Sequence, residues 1–268
     1  MPKTSSMLCI QLIAAFLSLQ LSTPILASST QPGIAELAKD KNDIRKNTKI
    51  ISAQGTIRDA EALSEGPLFL IEYEHTSQNN LAVSTIIRQS DLSGKTIALE
   101  KTLYDAQGKL KKYTLHQFQS DISASVEIVE GNVLMNWNES GNSKSTTEAA
   151  TENTVAAGSL MAYMSPHIEK LSRGHTLNVR LAVPERGSVM GFEIAPRREG
   201  CQGVVSVLCV NLMLSNFFLQ KLLKPIEMSF QKTSEGYRPL SLETPAVLRR
   251  VKGNKLEKFT ARIDYPRL

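Results

Sequence analysis

Ile122-Ser123-Ala124-Ser125-Val126-Glu127-Ile128 alternates apolar with polar side chains, Glu130-Gly131-Asn132 follows, and Val133-Leu134-Met135-Asn136-Trp137 alternates again. Successive side chains of a strand point to opposite faces, so this period of two is the pattern of half-buried strands. Two strands joined by so short a turn lie antiparallel, because a parallel connection needs a crossover of a dozen residues or more. The same pattern spreads upstream. Phe69, Ile71 and Tyr73 share one face, with Glu72 and Glu74 on the other. Further apolar faces come from Leu81, Val83 and Ile87, then Ile97, Leu99 and Leu103, then Tyr113 and Leu115. Asp105-Ala106-Gln107-Gly108 is a tight connection whose Gly supplies positive φ. Strands in sequence on short turns make a meander.

Downstream, the stretch 138–154 is a polar excursion with room for one edge strand. Leu160, Met161, Met164, Ile168 and Leu171 then recur at helical spacing; Gly174 stops the helix, and Pro166 breaks it or restarts it with Ser165 as cap. Alternation returns at Leu177, Val179, Leu181 and Val183, at Met190, Phe192 and Ile194, and last at Phe259, Ala261, Ile263 and Tyr265. The expected fold is mainly β: about twelve strands in a strongly curved antiparallel sheet or incomplete β-barrel, with one or two helices packed on its concave side.

The chain has 268 residues, 21% charged and 41% hydrophobic, with a net charge of +5. It can bury a core without metal or disulfides, and its balance is not that of a nucleic-acid binder. No charged residue occurs between Lys3 and Glu36, and Met7 to Leu21 is dominated by apolar side chains. With Thr23-Pro24-Ile25-Leu26-Ala27 before Ser28, residues 1–27 read as a signal peptide for export to the periplasm. Residues 28–66 are polar and read as a weakly structured leader or linker, leaving 67–268 as the antiparallel β domain. Cys9 departs with the signal, so Cys201 and Cys209 are the pair for a disulfide in an oxidising compartment. One continuous strand would hold their Cα atoms far beyond the ~7 Å that a disulfide spans, whereas a fold-back at Gly200 to Gly203 would join them. Both arrangements stay open. The uncharged run from Gly203 to Gln220 reads as a buried strand entering a short helix before Pro225; Ser206, Asn211, Ser215, Asn216 and Gln220 speak against a membrane span.

The chemistry-bearing residues do not converge on a reaction. His75, His116, His167 and His175 lack ligand spacing and read as edge or turn residues, so no metal and no cofactor is expected. Gly187-Ser188-Val189-Met190-Gly191 lacks the spacing of a nucleophile elbow and reads as a hairpin. Glu72 and Glu74 read as a solvated sheet face rather than a glycosidase pair. No catalytic residue is assigned and the protein reads as non-enzymatic. Lys109 to Lys112, Arg197-Arg198 and Arg249-Arg250 with Lys252 protect strand ends and leave scope for peripheral contact with anionic lipids.

Gly158-Ser159-Leu160-Met161-Ala162-Tyr163, Leu171-Ser172-Arg173-Gly174-His175-Thr176, Asn178 to Pro184, Val189-Met190-Gly191-Phe192-Glu193-Ile194 and Lys224-Pro225-Ile226-Glu227-Met228-Ser229-Phe230 follow in an order that resembles a bacterial family of exported proteins of unknown function. Its members resemble an open antiparallel barrel, similar in outline to periplasmic lipoprotein carriers. The likeness covers about Leu68 to Tyr265, and its motifs are structural, with no catalytic residues to carry over. The two cysteines and the apolar stretch at Val204 depart from it. An interior enclosed by that many strands is either filled or hollow. If it is hollow, Trp137, Leu160, Met164, Ile168, Phe217 and Phe218 would line a ligand cavity, Met and Phe being adaptable, and the protein carries an apolar or lipid-like envelope molecule. If it is filled, the protein is a structural or assembly partner in the envelope.

Overall fold

The computed structural model describes residues 48–197, 207–216, 224–234, 236–245, 248–252 and 255–266. The expected signal peptide, the first part of the leader, and the helix expected before Pro225 lie outside them.

The first half is a meander of β1 (Thr48–Asp59), β2 (Phe69–Gln78), β3 (Leu81–Ser90), β4 (Thr96–Tyr104), β5 (Leu110–Gln117), β6 (Ile122–Val129), β7 (Asn132–Glu139) and β8 (Asn142–Ala149). A short β9 (Thr154–Val155) leads into the helical stretch. There a 3₁₀ turn at Ala157–Ser159 precedes α1 (Leu160–Met164), and a second at Ser165–His167 joins it to α2 (Ile168–Ser172). Pro166 stands at the start of the second turn, where its missing N–H costs nothing. Gly174 leaves the helix at φ +93°. Then come β10 (Leu177–Val183), β11 (Ser188–Pro196), β12 (Val207–Leu214), β13 (Ile226–Thr233) and β14 (Gly236–Pro245). A small hairpin of β15 (Arg250–Lys252) and β16 (Lys255–Glu257) precedes β17 (Thr260–Asp264).

Fifteen strands form one sheet in the order β8-β7-β6-β5-β4-β3-β2-β1-β17-β14-β13-β12-β11-β10-β9. All neighbours are antiparallel except β9 beside β10. The last long strand, β17, sits between β1 and β14 and joins the two halves. The ladder does not close into a barrel. Its two rims nevertheless meet through side chains: the Val189 N–H donates to Glu148 Oε1 at 3.1 Å, and Arg180 lies 3.9 Å from Glu148 Oε2. The helical stretch packs on the inner face. Leu160, Met164 and Leu171 share a cluster with Ile194, Val210 and Phe230, while Ile57, Tyr73, Leu115, Trp137 and Ile263 form the other cluster. Met161 and Leu242 pack against both. Full burial of each large apolar side chain is worth roughly 1.5–3 kcal/mol, which holds the curled sheet around the helix. Among the described residues no helix is long and apolar enough to cross a membrane.

Three expectations change. Residues 48–59 are not a leader but the strand β1, paired with β2 along ten positions and with β17 at its end. Its inner face carries Ala53 and Gly55 as well as Ile51 and Ile57, too small a hydrophobic signal to register. Small residues are required there, because a Cβ on Gly55 would stand 2.5 Å from the Asp264 carbonyl oxygen. Second, Leu81 and Val83 are 44% and 41% exposed, and Leu99 and Leu103 are only half-buried, while Thr85, Gln89, Ala98, Glu100, Thr102 and Tyr104 face inward. Third, the sheet has more strands than anticipated, since β1 and β9 extend it; β8, at one end of the order, is the edge strand for which 138–154 left room. The other inward faces, including Phe259, Ala261, Ile263 and Tyr265, turn inward as expected, with Ile128, Leu177 and Met190 half-buried at their ends.

Candidate functional site

Strand register carries one row of inward residues across the first half of the sheet. Tyr73 stands opposite Ile87, Ile87 opposite Glu100, Glu100 opposite Leu115, Leu115 opposite Ala124, and Ala124 opposite Trp137. At the Tyr73 end of this row the two core clusters part around a cavity of about 170 Å³. Its wall is mostly apolar, with Ile71, Leu160, Leu212, Met228, Phe230 and Ile263 from five different elements. Glu100 projects into it from β4, 7% exposed. The Gln89 amide donates to Glu100 Oε1 and the Tyr113 hydroxyl to Oε2, each at 3.3 Å. Burial pushes the Glu100 carboxyl up to about 7, against the opposing pull of those two donors. Among the described residues no cation pairs with it.

A second polar row lies one step along the strands: His75 opposite Thr85, Thr85 opposite Thr102, and Thr102 opposite Tyr113. Thr85 Oγ1 is 2.9 Å from His75 Nδ1 and 2.9 Å from the Tyr104 hydroxyl, whose ring meets the His75 ring edge-on. Burial lowers the pKa of His75 and raises those of Tyr73, Tyr104, Tyr113 and Tyr265, so these rings stay neutral near pH 7. The turn Ala157–Ser159 lies over this row. A Cβ on Gly158 would stand 2.8 Å from Thr102 Oγ1 and 3.0 Å from Tyr113 Cε2, so only glycine allows so close an approach. The Ser159 hydroxyl fixes the turn by accepting from the Ala156 N–H at 2.8 Å and donating to the Ala156 carbonyl at 2.9 Å.

Beyond the end of β17 the sheet wall parts between β1 and β14, leaving a groove of about 520 Å³. Gln54, Glu72 and Arg88 line it from outside the sheet, Ala53 and Tyr73 from inside, and Arg238 with Pro266 from the far bank. Tyr73 lines the inner cavity too. Arg238 is 5% exposed, with its guanidinium donating to the Pro266 carbonyl at 2.8 Å.

Of the residues anticipated for a cavity, Leu160 lines it. Trp137, Met164 and Ile168 are buried but do not, because the hollow lies toward β2 to β4 and the β13–β14 pair rather than beneath the length of the helix. Phe217 and Phe218 lie outside the described residues. Cys209 is buried and disulfide-bonded; Cys201 lies outside the described residues. His75 is buried rather than at an edge, whereas His175 is exposed. Among the described residues no group of three His, Cys, Asp or Glu side chains converges. Glu72 and Glu74 are exposed, and Glu72 pairs with Arg88 at 3.6 Å. Glu100 is not legible because Leu99 and Leu103 offer an equally regular face one residue away, and Gln89, which shares the face of Ile87, because it is polar. The signal lay in Tyr113 and Leu115, whose register places Thr102 and Glu100 inward.

No protein-family model matches the chain, and no curated protein matches it. Among solved structures it is similar to a beta-barrel-like protein of a domain of unknown function, DUF1849, from Brucella abortus. Identity is 11%, the match covers 82% of this chain and 95% of that one, and the TM-score is 0.43.

Proposed function

We propose that the protein is a non-enzymatic binding protein of the bacterial envelope, exported by residues 1–27, which takes an apolar or lipid-like molecule into the cavity between its two core clusters. The cavity carries this reading. It is apolar, built from both halves of the sheet and the helix, and set with a few convergent polar groups, the usual make-up of a small-molecule site. An apolar cavity of ~150 Å³ takes up benzene, so this one suits a six-carbon group: a small ligand, or the end of a longer chain laid in through the groove past Tyr73. Extraction of the purified mature protein with organic solvent, followed by mass spectrometry, tests it. A stoichiometric apolar compound is expected, and its loss in Leu212→Trp, which fills the cavity. No extracted compound and no uptake of an apolar dye would defeat the reading.

The size of the same cavity favours a second reading. Ligand sites usually occupy ~300–1,000 Å³, so a cavity of about 170 Å³ also suits an essentially solid core, with the protein acting as a structural or assembly partner. That reading predicts empty extracts and a Leu212→Trp protein that keeps its partners.

A further inference from the structure

The geometry points to a ligand class for the cavity: we infer that the apolar molecule it takes up carries a cationic amine, whose ammonium group is held by the Glu100 carboxylate. This inference rests on the cavity being a binding site. Glu100 receives one hydrogen bond on each oxygen, both long at 3.3 Å, and a carboxylate accepts at about four positions. Half its capacity is unfilled, and Glu100 lines the hollow.

Among the described residues no other charged side chain lines the wall. From β2 it receives Ile71 and Tyr73, from β3 Ile87 and Gln89, from β17 Ile263, and just beyond β17 Tyr265. The helical stretch brings only Ala157, Gly158, Leu160 and Met161, while β10, β12 and β13 bring aliphatic side chains, Met228 and Phe230. Pro239, Ser241, Leu242 and Thr244 of β14 add no charge. The titratable neighbours are therefore Tyr73 and Tyr265 on the wall and Tyr113 behind Glu100, all held neutral by burial. A buried carboxylate without a counter-charge is costly, and that cost falls when a cation arrives with good hydrogen-bond geometry. A fatty acid or phosphate head would instead set like charge against Glu100. An alcohol would satisfy a lone pair and leave the charge uncompensated. Because burial holds this carboxyl near 7 when the cavity is empty, an ammonium group entering below that pH displaces a proton.

The test compares n-hexylamine with n-hexanol by isothermal calorimetry on the mature protein at pH 8 and pH 5.5, and on Glu100→Gln. The amine is expected to bind at least tenfold more tightly than the alcohol at pH 8, with the preference shrinking tenfold or more at pH 5.5 and vanishing in Glu100→Gln. If the alcohol binds as tightly as the amine at pH 8, the amine assignment is overturned and the cavity reading survives. Retention of the preference in Glu100→Gln overturns it in the same way. If neither compound binds, the cavity reading falls as well. Should the variant not fold, the pH dependence on the native protein still decides, since an amine preference unchanged between pH 8 and pH 5.5 excludes Glu100 as the holder.

Discussion

Glu100 stands between Ile87 and Leu115 on the inner face of the sheet, where a strand ordinarily places an aliphatic side chain. Its position has a consequence for stability. The unfolded chain releases the Glu100 proton near the ordinary carboxylate value, about 4.5, while the folded chain holds it to about 7. Between those values the native state binds more protons, so stability falls as pH rises through that window. At one pKa unit per ~1.4 kcal/mol, the loss is roughly 3 kcal/mol by pH 8. Glu100→Gln keeps the shape and removes the titration. Urea unfolding should therefore find the variant more stable than the native protein at pH 8, by up to roughly 3 kcal/mol, and close to it at pH 4.5. A parallel decline of both proteins across that range would show that Glu100 does not titrate as a buried acid.

Among the elements, β1 and the turn before α1 depend on the absence of side chains. The Gly55 backbone meets the Asp264 carbonyl and the Tyr265 ring where β17 joins the two halves of the sheet. Gly158 meets Thr102 and Tyr113 over the polar inner row. Overpacking of a tight contact costs ~1–3 kcal/mol. Gly158→Ala should fall in that range by denaturant unfolding. It should also loosen the Tyr113 hydroxyl from Glu100, visible as an altered pH profile of stability. Gly55→Ala should cost at least as much, because its obstacle is backbone, which moves less readily than a side chain; a neutral result in equilibrium unfolding would mean that the β1–β17 junction yields. Neither glycine stood out beforehand. Gly158 was legible as part of a helix entry, but its reason for being glycine lies in β4 and β5, more than forty positions earlier in the chain. The paired faces of β6 and β7 were legible because both alternate cleanly. That of β4 was not, because Leu99 and Leu103 alternate as regularly as Glu100 and Thr102 one residue away; in β3 Ile87 faces inward as expected, and a register shift opposite Thr76 and Ser77 leaves Leu81 and Val83 exposed.

At the scale of the whole molecule, the sheet curls until its rims touch without sharing a ladder. Glu148 on β8 accepts from the Val189 N–H and faces Arg180, and Thr146 lies against Gly187. A single hydrogen bond of this kind contributes ~0.5–1.5 kcal/mol. Glu148→Ala should therefore lower global stability by about 1 kcal/mol while speeding amide hydrogen exchange in β8 and at Val189 far more than in β5 or β6. Uniform acceleration across the sheet would mean that the rims and the core open as one unit. On the far side of the sheet, the hairpin β15–β16 is held by Arg250, which pairs with the buried Asp59 at the end of β1. The first strand is thereby tied to a segment almost two hundred residues later.

Local pattern alone determined the antiparallel meander, the broken helix at Pro166 with its stop at Gly174, and the inward face of the closing strand. Each is written in a short window by periodicity, by a proline of fixed φ or by a glycine that accepts a positive φ. Tertiary structure decided that β1 belongs to the sheet, which face of β4 turns inward, and that a carboxyl and an amide stand in the cavity. The reason is physical: a strand of mixed composition satisfies alternation equally well after a shift of one residue, and only its hydrogen-bonded neighbours and the packing across the sheet choose between the two.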